Sequence, residues 1–472
     1  MTQFQQAIPI NITGGSYESR SRPLSSQRTR NFYQQYVEQG KEQFVLHSFP
    51  GLLLKGSATG IDRGMTVMAE KGYRVSGNTL YYFDSNGSHT ALGTIHGTGR
   101  CIFSNDGRNL IIVTNGVVYK YDGSEVTVVT DTNIEGSTAV TFINNQMVYT
   151  NNGLFVVSDA GEVDVVNGLN AAGAESQPDN LVRAYSFQQT VYMFGERSVE
   201  PWWNTGTGFP PFARMDGQII EVGCSAIHSI ANTDEFLYFL GDDNAVYQIT
   251  GGQKRRVSPP AITHDIEQFS SRDDAIGYTF TFEGTNFYAI NFPGEDKTYC
   301  VNESLQDKGW FELSSGTTGG KYQGNSLVNV YGNNYVADAD NGNLYVLDVN
   351  TYTNNSETIQ RQRVTSSVNS KMFGQQGKRV QMSRFEVILE SGVGSIAGQG
   401  DKPQIMIDIS YDGGRSWVSK GFVDVGRLGQ STLKAELYCL DSFYDAIFRI
   451  TTSDPVPFEI YSAAIDLRMA GH

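Results

Sequence analysis

The chain has 472 residues, 52.0 kDa, net charge −15, and is rich in Gly, Tyr and Phe (51, 25 and 26). That length allows two or three domains with full cores, and the composition points to an all-β protein. Without an 18-residue apolar run there is no membrane-spanning helix, and a basic nucleic-acid-wrapping surface is excluded by the charge.

The start, MTQFQQAIPINITGG, has neither a charged n-region nor an apolar h-region, so classical secretion is not expected and assembly in a cytoplasm is. Residues 1–45 read as an extended N-terminal arm. Over residues 1–41 Arg20, Arg22, Arg28, Arg30 and Lys41 face only Glu18 and Glu38, so the arm is +3 and the remainder −18. The arm is a candidate docking element through those four arginines, or a disordered tail.

The ordered body begins at LHSFPGLLL. Between Arg74 and Asp348 one local pattern recurs about seven times: a β-rich run, an Asn/Asp/Gly turn and a second β-rich run. The copies start at residues 80, 109, 140, 191, 235, 278 and 333, hence 29 to 55 apart. That spacing suits a four-stranded propeller blade of about 40 to 50 residues, and predicts a β-propeller of six or seven irregular blades over residues 46–350. Asn-Gly pairs at Asn86, Asn115, Asn152 and Asn341 predict two-residue hairpin turns, because both central residues need positive φ. Residues 351–377 read as a polar linker. Four long alternating stretches then predict a C-terminal antiparallel β-sandwich-like domain over 378–472.

The chemistry-bearing residues are scattered. Cys101, Cys224, Cys300 and Cys439 form no CxxC pair and read as buried small apolar residues, and the six His show no metal spacing, so no cofactor or metal is assigned. The carboxylate-rich turns Gly241–Asn244 and Ser271–Asp274 could supply two facing carboxyls to a glycosidase, but Asp is also common in turns for its local hydrogen bonds. SYDGGRSW fits an Asp-box, with Ser410, Asp412, Gly414 and Trp417 stapling a hairpin. That box is also found in sialidase propellers, which makes a carbohydrate-active or carbohydrate-binding propeller the alternative function. The loop Ala171–Asn180, with Glu175, Ser176, Gln177, Pro178 and Asp179, differs from its surroundings. Paired Trp202 and Trp203 near Pro210 and Pro211 suit either a protein interface or simple packing.

Several of these segments carry a resemblance. In order along the chain, SSQRTRNFYQQYVEQGKEQFVLHSFPGLLL (containing Phe49, Pro50 and Gly51), IDRGMTVMAEKGYRVSGNTLYYF, AESQPDNLV, GTGFPPFARMDGQIIEVGCSAIHSIA, KRVQMSRFEVILESGVG and ISYDGGRSW resemble the packaged-DNA stabilisation proteins of Salmonella-type short-tailed phages. The likeness runs from about Ser25 to about Leu467. It implies a virion tail protein, a hub or nozzle: a ring, expected to be hexameric, below the portal-adaptor ring. Such a ring continues the DNA channel without sequence-specific binding, retains packaged DNA and gives attachment to the needle or plug and to tailspikes or fibres. It carries over no catalytic residue.

Overall fold

A computed structural model of the chain describes residues 6–20, 25–38, 42–151, 153–174, 179–373 and 377–469. Hairpin-linked strands dominate it, and they group by sequence neighbourhood. Five free-standing four-stranded antiparallel sheets begin at Asp62, Ile102, Ala139, Leu181 and Ala231, and two further four-stranded units sit inside larger sheets, beginning at Ile276 and Gly324. Numbered blades 1 to 7 in that order, they close a ring: the first strand of blade 7, Gly324–Val330, lies against the first strand of blade 1, Asp62–Met68. Six blades have a first strand of four to seven residues; in blade 5 it shrinks to Ala231–Asn232. The molecule is an all-β propeller.

Closure comes from the N-terminal side. Strand Gly51–Ser57 is the outer strand of blade 7, antiparallel to Asn343–Asp348 with Asp348 opposite Gly51 and Val346 opposite Leu53. The ring is therefore locked by strands almost 300 residues apart, which removes two sheet edges at once. Gly342 stands at this seam, where a Cβ would meet the Ala58 carbonyl oxygen at 1.8 Å, and Ala58 N–H donates to the Gly342 carbonyl at 2.8 Å. This glycine is required for close approach and not for its φ. Of the predicted Asn-Gly turns, only Asn115–Gly116 has positive φ at both residues; at Asn86–Gly87 only the glycine does, and Asn152 lies outside the described residues. Other hairpins adopt the same conformation without such a signal, at Ala69–Glu70, Asn144–Asn145 and Gln188–Gln189.

Apolar side chains alternate along the blade strands and pack between neighbouring blades. Blades 4 and 5 share Phe194 and Phe239, with centroids 5.2 Å apart; Tyr238 of blade 5 stacks on Tyr288 of blade 6 at 4.7 Å.

The sandwich is more than the C-terminal domain expected. One sheet runs Phe32–Tyr36, Phe44–Ser48, Glu459–Met469, Val380–Leu389, Ala435–Phe443, with Gln6–Ile10 also on Glu459–Met469. The other runs Ser26–Arg30, Arg361–Val364, Asp445–Thr452, Gln404–Ser410, Val418–Asp424. The described part of residues 1–45 is thus not an extended arm: it supplies strands and core residues Ile10, Ile12 and Phe32, which pack with Phe385 and Phe448, stacked at 4.3 Å. Residues 351–377 are likewise not a plain linker, since Arg361–Val364 pairs on both sides. Finally, Ser26–Arg30 touches blade 6 through a parallel bridge from Arg30 to Glu312, so propeller and sandwich share one continuous sheet.

Candidate interaction surfaces

The seam between the two bodies is built around one carboxylate. Strand Trp310–Leu313 places Glu312 against the sandwich strand Ser26–Arg30, where Arg28 Nε and Nη2 donate to its two oxygens at 2.6 and 2.5 Å. Arg30 Nε lies 3.9 Å away and Lys297 Nζ 3.8 Å away. Burial disfavours the Glu312 charge, yet Arg28 above all, with Lys297 and Arg30, holds its carboxyl below the usual range. A bidentate Arg–carboxylate pair is directional as well as strong, so it fixes the angle between the two bodies. Arg28 and Arg30, the latter 7% exposed, are therefore structural and not a free docking arm. Arg20 is exposed, and Arg22 lies outside the described residues.

Phe49, Pro50 and Gly51 form the buried passage from sandwich to propeller. Phe49 sits among the rings of Tyr33, Phe280, Phe311 and Tyr322, and Gly51 N–H donates to Thr351 O at 2.6 Å. Their burial withdraws them from any exposed surface. Two buried arginines act as internal ties, one in this region and one between propeller blades. Arg363 donates to Thr29 Oγ1 at 2.6 Å, Gln27 Oε1 at 2.9 Å and the Gly14 carbonyl at 3.0 Å, with burial pushing its pKa down to about 9. Arg63 ties blades 1 and 2 by donating to Gly99 O, Ile95 O and Thr114 Oγ1. Sequence reasoning missed these, because an arginine bound to distant carbonyls leaves no local pattern.

The paired tryptophans part company. Alternation along Val199–Asn204 turns Trp202 inward, edge-on to Phe155 of blade 3 at 5.0 Å with Nε1–H donating to Glu200 Oε2 at 3.0 Å, while Trp203 is 46% exposed. Phe209, in the turn that follows, is 69% exposed. Asp179 lies at the start of blade 4, where its Oδ2 accepts from the Arg197 and Ser198 N–H groups at 2.7 and 3.1 Å. Glu175, Ser176, Gln177 and Pro178 lie outside the described residues.

The Asp-box closes the sandwich hairpin between Gln404–Ser410 and Val418–Asp424. Asp412 accepts from the Arg415 and Ser416 N–H groups, both at 2.9 Å, and from Ser416 Oγ at 2.6 Å, Ser410 Oγ accepts from Gly414 N–H at 2.8 Å, and the Arg449 guanidinium lies 4.3 Å over Trp417. Hydrogen bonds, first that from Ser416, hold the Asp412 carboxyl well below its ordinary range.

The carboxylates weighed for glycosidase chemistry accept structural hydrogen bonds, Asp243 from Ala245 N–H and Tyr247 OH and Asp273 from Ser271 OH within their own turns, Asp242 from Gly223 N–H and Asp274 from Gly294 N–H of other segments. Among the described residues no three His, Cys, Asp or Glu side chains group to hold a metal, and no helix is long and apolar enough to cross a membrane. Cys101, Cys224 and Cys300 are buried and unpaired; burial raises the first two to about 11, which keeps them as thiols.

The fold defines a β-propeller with a fused β-sandwich. The family described as "Bacteriophage P22 Gp10, beta-propeller" matches residues 6–352, and the chain belongs to it. The tail hub protein gp10 of Salmonella phage P22 is 22% identical over 303 residues, spanning 59% of this chain and 63% of that protein, under two thirds of its length. Among solved structures the chain is similar to a streptogramin B lyase (11% identity, 67% of this chain and 98% of that one, TM-score 0.42) and to BamB from Moraxella catarrhalis (11%, 73% and 96%, TM-score 0.39).

Proposed function

We propose that this chain is a structural protein of a phage tail, a hub or nozzle that forms a ring, expected to be hexameric, below the portal-adaptor complex. The observation that carries the reading is the family match across the whole propeller, together with a relative named as a tail hub protein. A closed ring of identical chains uses a heterologous interface, so each copy presents two unlike surfaces in a fixed relation. The Glu312 seam supports that, because it joins the propeller to the sandwich through one sheet. In this reading the ring continues the DNA channel in the virion, retains the packaged genome by closure below and not by affinity, and offers attachment to needle, spikes or fibres. Assembly takes place in the host cytoplasm. Trp203, the loop at Glu175–Asp179 and the exposed Arg20 are the contact residues proposed.

The test is the mass of the purified chain in solution, alone and with the adaptor ring of its own phage. A ring of about six chains, formed alone or on the adaptor, is the expected result. A persistent monomer indifferent to the adaptor would overturn the reading.

A further inference from the structure

The outer face of the second sandwich sheet carries a row of side chains set by strand register. Arg28 stands opposite Val364, Val364 opposite Arg449, and Arg449 opposite Asp408. Residues paired in register share a face and neighbouring strands lie about 4.8 Å apart, so the backbones of the two arginines are roughly 10 Å apart with an apolar residue between them. Each arginine is held from its far side. Arg28 donates from Nε and Nη2 to Glu312, while Arg449 donates from Nε to Asp408 Oδ2 at 2.9 Å and has Nη2 2.8 Å from the same oxygen. A guanidinium has five N–H donors, so at least three remain on each.

The Asp-box turn stands over this row. The Arg449 guanidinium lies 4.3 Å over the Trp417 ring, and a Cβ on Gly414 would come within 3.4 Å of Ser26 Oγ. Between turn and sheet is a cavity of about 290 Å³, lined by Ser26, Arg28, Arg415, Trp417, Arg449 and, as its one carboxylate, Glu18. Three guanidiniums against one carboxylate make the lining +2 in a chain of net charge −15. Two of its donors are idle. Ser26 is 8% exposed and its Oγ is buried without a hydrogen-bond partner. Arg415 is exposed, its backbone N–H is fixed by Asp412 at 2.9 Å, and among the described residues its guanidinium makes no ion pair or hydrogen bond.

We propose that this cavity binds one small oxyanion of the phosphate or sulfate class. Its volume stands at the low end of small-molecule sites, which suits an ion and excludes a bulky ligand. Guanidinium forks match the paired oxygens of such an ion better than they match chloride, and an acceptor in the cavity satisfies the Ser26 hydroxyl, which otherwise bears the cost of burial unpaired. Bound there, the anion ties the Asp-box turn to Ser26–Arg30, the strand that also carries the seam to Glu312. The site does not depend on the tail reading.

The experiment is equilibrium dialysis of the full chain against radiolabelled sulfate, then radiolabelled phosphate, in sodium chloride at constant ionic strength. Saturable uptake of about one ion per chain is expected, weakened at least about tenfold in Arg415→Gln, whose exposed side chain holds nothing in the described fold. Arg108→Gln, on an exposed propeller turn, should bind like the wild type. No saturable uptake, or the same response in the two variants, would overturn the proposal. Crystals of the wild-type chain soaked in selenate give a second reading: anomalous density between Arg28, Arg415 and Arg449 upholds the site, and an empty cavity removes it.

Discussion

At the residue scale, Glu312 and the two tryptophans show why residue type alone does not reveal a role. Glu312 is one buried carboxylate serving Arg28, Arg30 and Lys297, and removing its charge leaves buried Arg30 and partly exposed Arg28 and Lys297 uncompensated. Glu312→Gln should cost about 3 kcal/mol in urea unfolding at pH 7. Its folded pKa is depressed, so its stabilisation is full above the unfolded carboxylate value and is lost as pH falls through the lower, folded one. The variant should therefore show a shallower acid loss below about pH 4.3 than the wild type; parallel curves would refute the linkage. For the tryptophans, Trp202→Ala should destabilise by about 3 kcal/mol because it opens a cavity beside Phe155. Trp203→Ala should shift stability by less than about 0.5 kcal/mol while weakening ring assembly, read by the sedimentation of the assembled ring. Both residues stand in one sequence pair, and the strand period of two separates them.

At the element scale, the hairpins were legible and their phase was not. The seven repeats read from sequence fall in seven different blades, but the copy from Leu80 is the outer hairpin of blade 1 and that from Tyr278 the inner hairpin of blade 6. First strands begin at residues 62, 102, 139, 181, 231, 276 and 324, so 37 to 50 apart, a tighter period than the 29 to 55 of the repeats. Turn chemistry hid the phase, because hairpins at Ala69–Glu70 and Gln188–Gln189 use residues that carry no turn signal. The N-terminal strands were hidden for another reason: Ser, Gln and Arg dominate Ser26–Arg30, and the partner of Arg28 is 284 residues away. Two elements make testable commitments. Gly342→Ala drives a methyl into the Ala58 carbonyl at the ring seam and should cost about 1–3 kcal/mol by the same urea assay; a neutral result would mean that the seam yields. Asp412→Ala should release the Arg415 and Ser416 amides to solvent, measured as faster hydrogen exchange there with the propeller amides unchanged.

At the scale of the whole molecule, charge decides what the proposed channel can do. Non-specific affinity for duplex DNA comes from neutralising phosphates, and each neutralised phosphate steepens the fall of binding with salt. A chain of net charge −15 has little with which to do so, and several of its cations are spent internally: Arg63, Arg74, Arg361 and Arg363 are wholly buried, and Arg28 is bound to Glu312. Buried carboxylates offset them, since Asp62, Glu200, Glu312, Asp338 and Asp408 are buried too, so the exposed surface keeps the acidic balance of the composition. Six such chains around a lumen would repel the DNA backbone, so that the genome slides and does not stick. Purified protein titrated into a fluorescent duplex should accordingly give no change in anisotropy at about 150 mM salt, and lowering salt to about 50 mM should produce no more than weak binding. Tight binding with a steep salt slope would mean that a basic surface is exposed to the duplex, and would replace retention by closure with retention by grip. The comparison is sharpest with the assembled ring, because only there does any lumen-facing surface meet the DNA it would have to release.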